Sequence, residues 1–288
     1  MKQVTIISGK GGTGKTTLTA AFAALAQDAV LADCDVDAAD LHLILRPEVK
    51  KTKGFHGLKV ASIDPEVCTS CGLCNRHCQF NAINDDFSVR YEACEGCGVC
   101  TYICPVHAAI MKDRDSGVIY ESVTRFGPMV HARLNTAEES SGKLVTEVRN
   151  IAEDVAVQKK KKIVLIDGPP GIGCPVISAI TGVDMVIIVT EPTFSGIHDL
   201  QRVVDVAAHF NIPQAVIINK YDINTDKTHD IELYCKTNSI PVLGTIPYDA
   251  TVVKAMIEEK TIPEYDSGVL AESVRSIWEK AASLLFDR

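Results

Sequence analysis

No stretch of this 288-residue sequence approaches the roughly 18 consecutive apolar residues that a membrane-spanning helix requires, so stable membrane insertion is not expected. The opening residues, MKQVTIISGKGG, lack the basic, apolar and small-residue zones of a secretory signal. Positive charge is also in short supply. The formal net charge is −8, and the one basic run, residues 159–162 (KKKK), sits just before the apolar segment IVLID, where it reads as a solvated helix end that complements the helix dipole. Nucleic acid is therefore not an expected partner. These absences predict a cytoplasmic protein. In that compartment disulfides are rare, and clustered cysteines bind metal or carry out redox chemistry.

What is present is an ordinary globular composition, 46% hydrophobic and 23% charged, long enough for one large domain or two smaller ones. Short apolar runs without alternation recur at residues 3–8 (QVTIIS), 29–33 (AVLAD), 163–167 (IVLID), 185–190 (MVIIVT), 214–219 (QAVIIN) and 241–245 (PVLGT). Helical patterns occupy residues 16–27, 143–158, 195–210 and 270–286. Continuous apolar strands separated by helices predict an α/β fold, with a mostly parallel sheet covered by helices on both faces. Residues 64–112, which hold eight of the eleven cysteines, break this rhythm and read as an insertion. The expected organisation is an α/β domain formed by residues 1–63 and 113–288, with 64–112 inserted. Residues 117–134 then supply two strands that lead back to the main fold.

The first apolar run ends in GKGGTGKT, which satisfies G-x-x-x-x-G-K-[ST] between a strand and a helix, as a phosphate-binding loop requires. Its glycines allow backbone N–H groups to close around phosphate oxygens, helped by the positive end of the helix. Lys15 is placed to reach the β- and γ-phosphates, and the Thr16 hydroxyl to bind Mg²⁺. The expected nucleotide contacts are Gly9, Gly11, Gly12, Thr13, Gly14, Lys15, Thr16 and Thr17.

Four further features narrow the class. The loop carries a second lysine, Lys10; residues 33–35 (DCD) end the second strand; residues 167–171 read DGPPG; and residues 219–222 read NKYD. In this order the motifs resemble those of the MinD/Mrp/nitrogenase-iron-protein group of P-loop ATPases with a deviant Walker A loop. The resemblance covers essentially everything outside the insertion, and it implies ATP and Mg²⁺ as ligands. By that resemblance Lys10 crosses a homodimer interface to the partner's nucleotide, with ATP sandwiched between subunits, and Gly12 permits the close approach. Asp35 orients the attacking water, Asp167 holds Mg²⁺ through water, Gly171 offers its N–H to the γ-phosphate, and Asn219 hydrogen-bonds adenine. Asp33 and Asp37 read equally as functional groups or as solvated loop carboxylates.

The cysteines follow C-x2-C-x2-C-x3-C twice, at Cys68, Cys71, Cys74 and Cys78 and again at Cys94, Cys97, Cys100 and Cys104. Zinc would call for C-x2-C pairs on a longer loop. The doubled run resembles a bacterial-type ferredoxin, including Cys104-Pro105, and departs from it at Cys78-Gln79, where proline is usual. In two-cluster ferredoxins the fourth cysteine serves the other cluster. The resemblance thus assigns Cys68, Cys71, Cys74 and Cys104 to one [4Fe–4S] centre, and Cys94, Cys97, Cys100 and Cys78 to a second. Cys34, Cys174 and Cys235 read as small buried hydrophobes, and His77 and His107 as ordinary polar neighbours.

The combination predicts an ATPase that couples nucleotide binding and hydrolysis to electron transfer through two [4Fe–4S] clusters to a redox partner protein. Two alternatives stay open: an Mrp-like assembly or carrier ATPase serving a metallocofactor partner, and a MinD-like spatial organiser with a redox sensor. The first is weakened because residues 233–288 contain a single cysteine, Cys235. The second is weakened because residues 270–288 have balanced charges and an apolar stripe suited to core packing.

Overall fold

The computed structural model describes residues 1–135, 138 and 141–287. Among these the chain forms nine strands: β1 (Lys2–Ser8), β2 (Ala29–Asp33), β3 (Glu48–Ile63), β4 (Ala109–Thr124), β5 (Gly127–Leu134), β6 (Ile163–Pro170), β7 (Met185–Thr190), β8 (Gln214–Asn219) and β9 (Val242–Ile246). The chain divides into two compact units. One comprises Met1–Thr52, Ile119–Arg133 and Ser141–Arg288; the other comprises Lys53–Val118 and Leu134–Ser140. This second unit is wider than the expected insertion, because it takes in most of β3 and the first part of β4.

In the first unit the strands lie in the order β4-β5-β2-β6-β1-β7-β8-β9. From β5 to β9 every adjacent pair is parallel. Alternation along β1 explains the layering. Val4 and Ile6 join Leu31, Leu165 and Ile187 in a core shared with Leu18 and Phe22 of the helix Lys15–Leu25 and with Val274 and Ile277 of the helix Val269–Phe286. The Phe22 and Trp278 rings meet there at 5.3 Å. Thr5 points to the opposite face, where its hydroxyl donates to the Ala179 carbonyl of the helix Cys174–Ile180 at 2.9 Å. Parallel strands with helices on both faces therefore follow from runs such as MVIIVT, which is buried at every position. The unit is an α/β P-loop nucleotide-binding fold. Its motif residues gather at the carboxyl ends of β1, β2, β6 and β8, where open α/β sheets bind ligands.

In the second unit, β3 and β4 flank two five-residue helices, Leu73–His77 and Val99–Ile103. Each helix follows a glycine in the left-handed region, Gly72 at φ +73° and Gly98 at φ +77°, where a side chain would strain the backbone. A small core of Val60, Ala61, Ala82, Ile83 and Ala109 also includes Cys94 and Cys100. A buried ion pair, Arg114–Glu138 at 2.6 Å, stands beside it, and Arg114 also donates to the Cys94 carbonyl at 3.1 Å. β3 has no counterpart in the sequence reading. Its first seven residues, EVKKTKG, are all exposed, so neither alternation nor an apolar run marks it. The two return strands do correspond to β4 and β5, with β4 starting earlier, at Ala109.

Candidate functional site

β1 leads directly into the phosphate loop. Gly12 and Gly14 hold φ of +82° and +91°, and Gly14 precedes the helix Lys15–Leu25. A Cβ on Gly14 would sit 2.4 Å from Asn219 Nδ2, so the close approach of the β8 end to the loop depends on glycine there. The Asn219 amide donates to the Thr13 carbonyl at 2.8 Å and accepts from Lys220 N at 3.0 Å, which pins the loop to β8. Lys220 adds a bond to the Gly12 carbonyl at 3.0 Å.

The charged centre lies beneath the loop. Lys15 Nζ, on a side chain only 6% exposed, is 3.0 Å from Asp167 and 3.3 Å from Asp35. Thr16 Oγ1 donates to the other Asp167 oxygen at 2.8 Å, and Thr19 donates to Asp167 at 2.9 Å. The register of the parallel strands imposes this convergence, since Asp33 pairs with Asp167 across β2 and β6. Burial opposes the charge on Lys15, but Asp167 and then Asp35 outweigh it and hold its pKa above the ordinary lysine value. The carboxylates move the other way. Asp33 is pushed well above the usual range by burial and then by Asp167, and Asp35 is raised by burial against the pull of Lys15. One ammonium faces three carboxylates in a buried site. A divalent cation would offset the excess, and the oxygen donors of Thr16 and Asp167 suit Mg²⁺.

Two cavities open here. One, of about 570 Å³, is lined by Gly11 through Thr17 together with Asp35, Leu43, Ile44 and Met256. The other, of about 270 Å³, shares Gly12, Gly14, Thr17 and Met256 and adds Asn219, Tyr248, Val252 and Ile262. A cavity on a glycine loop, beside a smaller and more apolar one, has the size and chemistry to take a triphosphate and its base.

Several expected residues are placed differently from their assigned roles. Gly9 does not line the cavity. A Cβ there would meet Asp199 Cβ at 2.4 Å, so its smallness serves packing against the helix Phe194–His209. Lys10 folds back onto Glu191 at 2.7 Å and onto the hydroxyls of Thr193 and Ser195. The Gly171 N–H donates to the Ser8 carbonyl at 2.8 Å. Asp33 is not solvated: it is fully buried and accepts from the N–H groups of Asp35 and Leu41, whereas Asp37 is exposed. Cys34 and Cys235 are buried as expected, but Cys174 is exposed. Glu191, which bridges Lys10 and Lys220, was missed. Its signal was available, as a carboxylate directly after the apolar run MVIIVT, at the carboxyl end of a parallel strand.

The eight clustered cysteines line two further cavities of the second unit. Cys68, Cys71, Cys74 and Cys104 line one; Cys78, Cys94, Cys97 and Cys100 line the other. Each set takes three cysteines from one run and one from the other. Backbone N–H groups point at three of the sulfurs: Ser70 at Cys68 (3.4 Å), Ala61 at Cys94 (3.4 Å) and Ala82 at Cys78 (3.3 Å). Among the described residues no group of three or more His, Cys, Asp or Glu is close enough to hold a single metal ion. A cubane places its four thiolates on four different irons, so it needs a ring of sulfurs around a cavity and no such tight group.

Comparison with known proteins agrees with the geometry of the first unit. Residues 4–262 match the family profile described as the CobQ/CobB/MinD/ParA nucleotide binding domain. An uncharacterized protein of Methanocaldococcus jannaschii is 34% identical over 281 residues, covering 96% of this chain and 95% of its own. The septum site-determining protein MinD of Bacillus subtilis is 25% identical over 264 residues, covering 88% of this chain and 78% of its own. Among solved structures, MinD complexed with Mg-ADP from Pyrococcus horikoshii superposes with a TM-score of 0.64 at 19% identity, covering 99% of this chain and 98% of its own.

Proposed function

The chain belongs to the CobQ/CobB/MinD/ParA nucleotide-binding family and is an ATPase, and from that premise we propose that it couples ATP binding and hydrolysis to one-electron transfer through its cysteine-bearing unit. The observation that carries this reading is the crossed lining of the two cysteine cavities, four thiols to each. Bound there, two [4Fe–4S] clusters supply reversible one-electron chemistry. Cys68, Cys71, Cys74 and Cys104 would hold one cluster, and Cys78, Cys94, Cys97 and Cys100 the other. The N–H groups of Ser70, Ala61 and Ala82 donate to the sulfurs of Cys68, Cys94 and Cys78 and fix where those sulfurs sit. The reading places the protein in the cytoplasm, where thiols stay reduced; among the described residues no helix is long and apolar enough to cross a membrane.

In the nucleotide site the chain's own residues act by position and charge. The loop from Gly11 to Gly14 presents N–H groups to the phosphates. Lys15 neutralises the β- and γ-phosphates, which requires it to exchange part of its hold on Asp167 and Asp35 for phosphate oxygens. Thr16 and Asp167 would hold Mg²⁺, whose two charges answer the local excess of carboxylate. Asp35, freed from Lys15, orients the attacking water. Gly171 turns its N–H from Ser8 to the γ-phosphate, so the segment after β6 senses the nucleotide. Thr17 and Asn219 border the base cavity. Lys10, released from Glu191, reaches the nucleotide of a second copy in an ATP-bound homodimer.

The similarity to MinD proteins favours a second reading, a spatial organiser whose cysteine unit senses redox state. Sedimentation with anionic vesicles in the presence of ATP separates the two, because only the organiser is expected to pellet.

The direct test is anaerobic reconstitution followed by iron, sulfide and zinc analysis. About eight irons per chain, with two interacting paramagnetic centres on reduction, are expected. Colourless protein with stoichiometric zinc would overturn the electron-transfer reading and leave the ATPase intact.

A further inference from the structure

The turn between β4 and β5 is two residues long, Arg125 and Phe126, and no nucleotide motif marks it. Thr124 braces the turn, donating to the Gly127 carbonyl at 3.0 Å and accepting from Phe126 N at 3.1 Å. The Arg125 guanidinium lies over the Phe126 ring at 4.7 Å. Its nitrogens reach two separate segments of the first unit. On one side they donate to the carbonyls of Leu45 (3.0 Å) and Ile44 (3.2 Å), the last turn of the helix Leu41–Leu45. On the other they grip both oxygens of Glu264, at 2.7 and 2.8 Å, and the Glu259 carbonyl at 3.0 Å.

Both segments border the nucleotide cavities. Leu43 and Ile44 line the larger one; Met256 lines both, and Ile262 the smaller. Glu264 is fixed in turn, since it accepts from the N–H and the hydroxyl of Thr261 in a capping box that starts the helix Ile262–Tyr265. Orphan carbonyls at a helix end and a carboxylate form a mixed acceptor set. Only a planar fork of five N–H donors satisfies it at once; a lysine ammonium has three donors and no fork.

We propose that Arg125 is a positioning residue for the nucleotide, tying the segment of Leu43 and Ile44 to that of Met256 and Ile262 so that the cavity keeps its shape before ATP arrives. The inference rests on the reading that these two cavities hold ATP. Arg125 lines neither cavity itself and reaches the larger one only through the backbone of Ile44, so its effect falls on affinity through preorganisation, while turnover of bound ATP stays with Lys15 and Asp35.

The test measures the Kd of a fluorescent ATP analogue, with kcat at saturating ATP, for the wild type, Arg125→Met, Arg125→Lys and Glu264→Gln. Arg125→Met and Arg125→Lys are each expected to weaken binding about tenfold or more with kcat changed less than about twofold. Glu264→Gln, which keeps a hydrogen-bonding head without the charge, is expected to lie between them and the wild type. Arg125→Lys also guards against the case in which Arg125→Met does not fold. Wild-type affinity in both Arg125 variants, or full rescue by lysine, would overturn the positioning role and leave the nucleotide reading standing. Failure of the wild type itself to bind the analogue would overturn both.

Discussion

Lys15 and Asp35 share a short ion pair, yet removing one is not equivalent to removing the other. Among the described residues Lys15 is the only cation paired with this carboxylate group, in which Asp33 and Asp167 are fully buried. Lys15→Ala therefore removes the phosphate contact and also strands buried carboxylates, a loss of about 3–5 kcal/mol when a buried pair is broken. The stability loss confounds any kinetic reading of that variant. Asp35→Asn is the cleaner change. It preserves shape, relieves one excess negative charge, and removes the carboxylate proposed to orient the water together with its 3.3 Å pairing to Lys15. Nucleotide binding is expected to persist while turnover falls at least about a hundredfold, as checked by phosphate release beside analogue binding. Normal turnover in Asp35→Asn would assign the water to another group.

At the scale of elements, the helix Phe194–His209 serves the site indirectly. Its N-cap, Thr193, and its residue Ser195 hold Lys10, and its backbone at Asp199 packs on Gly9. Gly9→Ala would place a Cβ 2.9 Å from the Asp199 backbone, where no side-chain rotation relieves it. The helix must move, at a cost of about 1–3 kcal/mol typical of overpacking. Urea denaturation should show that loss, and a variant as stable as the wild type would mean the helix is free to shift. Gly9 also shows where the sequence was readable. The loop motif made the strand, glycine turn and helix legible, because each has a local signal. It did not distinguish a glycine that faces phosphate from one that faces a helix, since that depends on an element about 190 residues away. β3 was illegible for a related reason: exposed lysines carry no pattern, and only pairing with β4 makes residues 48–63 a strand. The contacts of Glu191 and Arg125 were hidden likewise, as products of the register and of a two-residue turn.

For the whole molecule, the position of Lys10 bears on assembly. Its ammonium is paired with Glu191, which also holds Lys220, so Glu191 keeps a cationic partner when Lys10 departs. Release of Lys10 is thereby cheaper than breaking an isolated pair. The wild type is expected to double in mass with a slowly hydrolysed ATP analogue, whereas Lys10→Ala, binding the analogue almost normally, stays at the monomer mass. Light scattering decides between them, and equal masses with equal ATPase rates would remove the homodimer from the mechanism.

The crossed cysteine sets carry a consequence for how the protein is made. The cavity that begins with Cys68 is completed by Cys104, and the one that begins with Cys78 is completed by Cys100. As the chain leaves the ribosome, neither cavity owns four thiols until the second run has been synthesised, although the first run ends at Cys78. The sulfurs of the first run have no complete set until then, and the two sets close at Cys100 and Cys104, four residues apart. On the proposed cluster reading, both ligand sets therefore become complete almost together, not in succession.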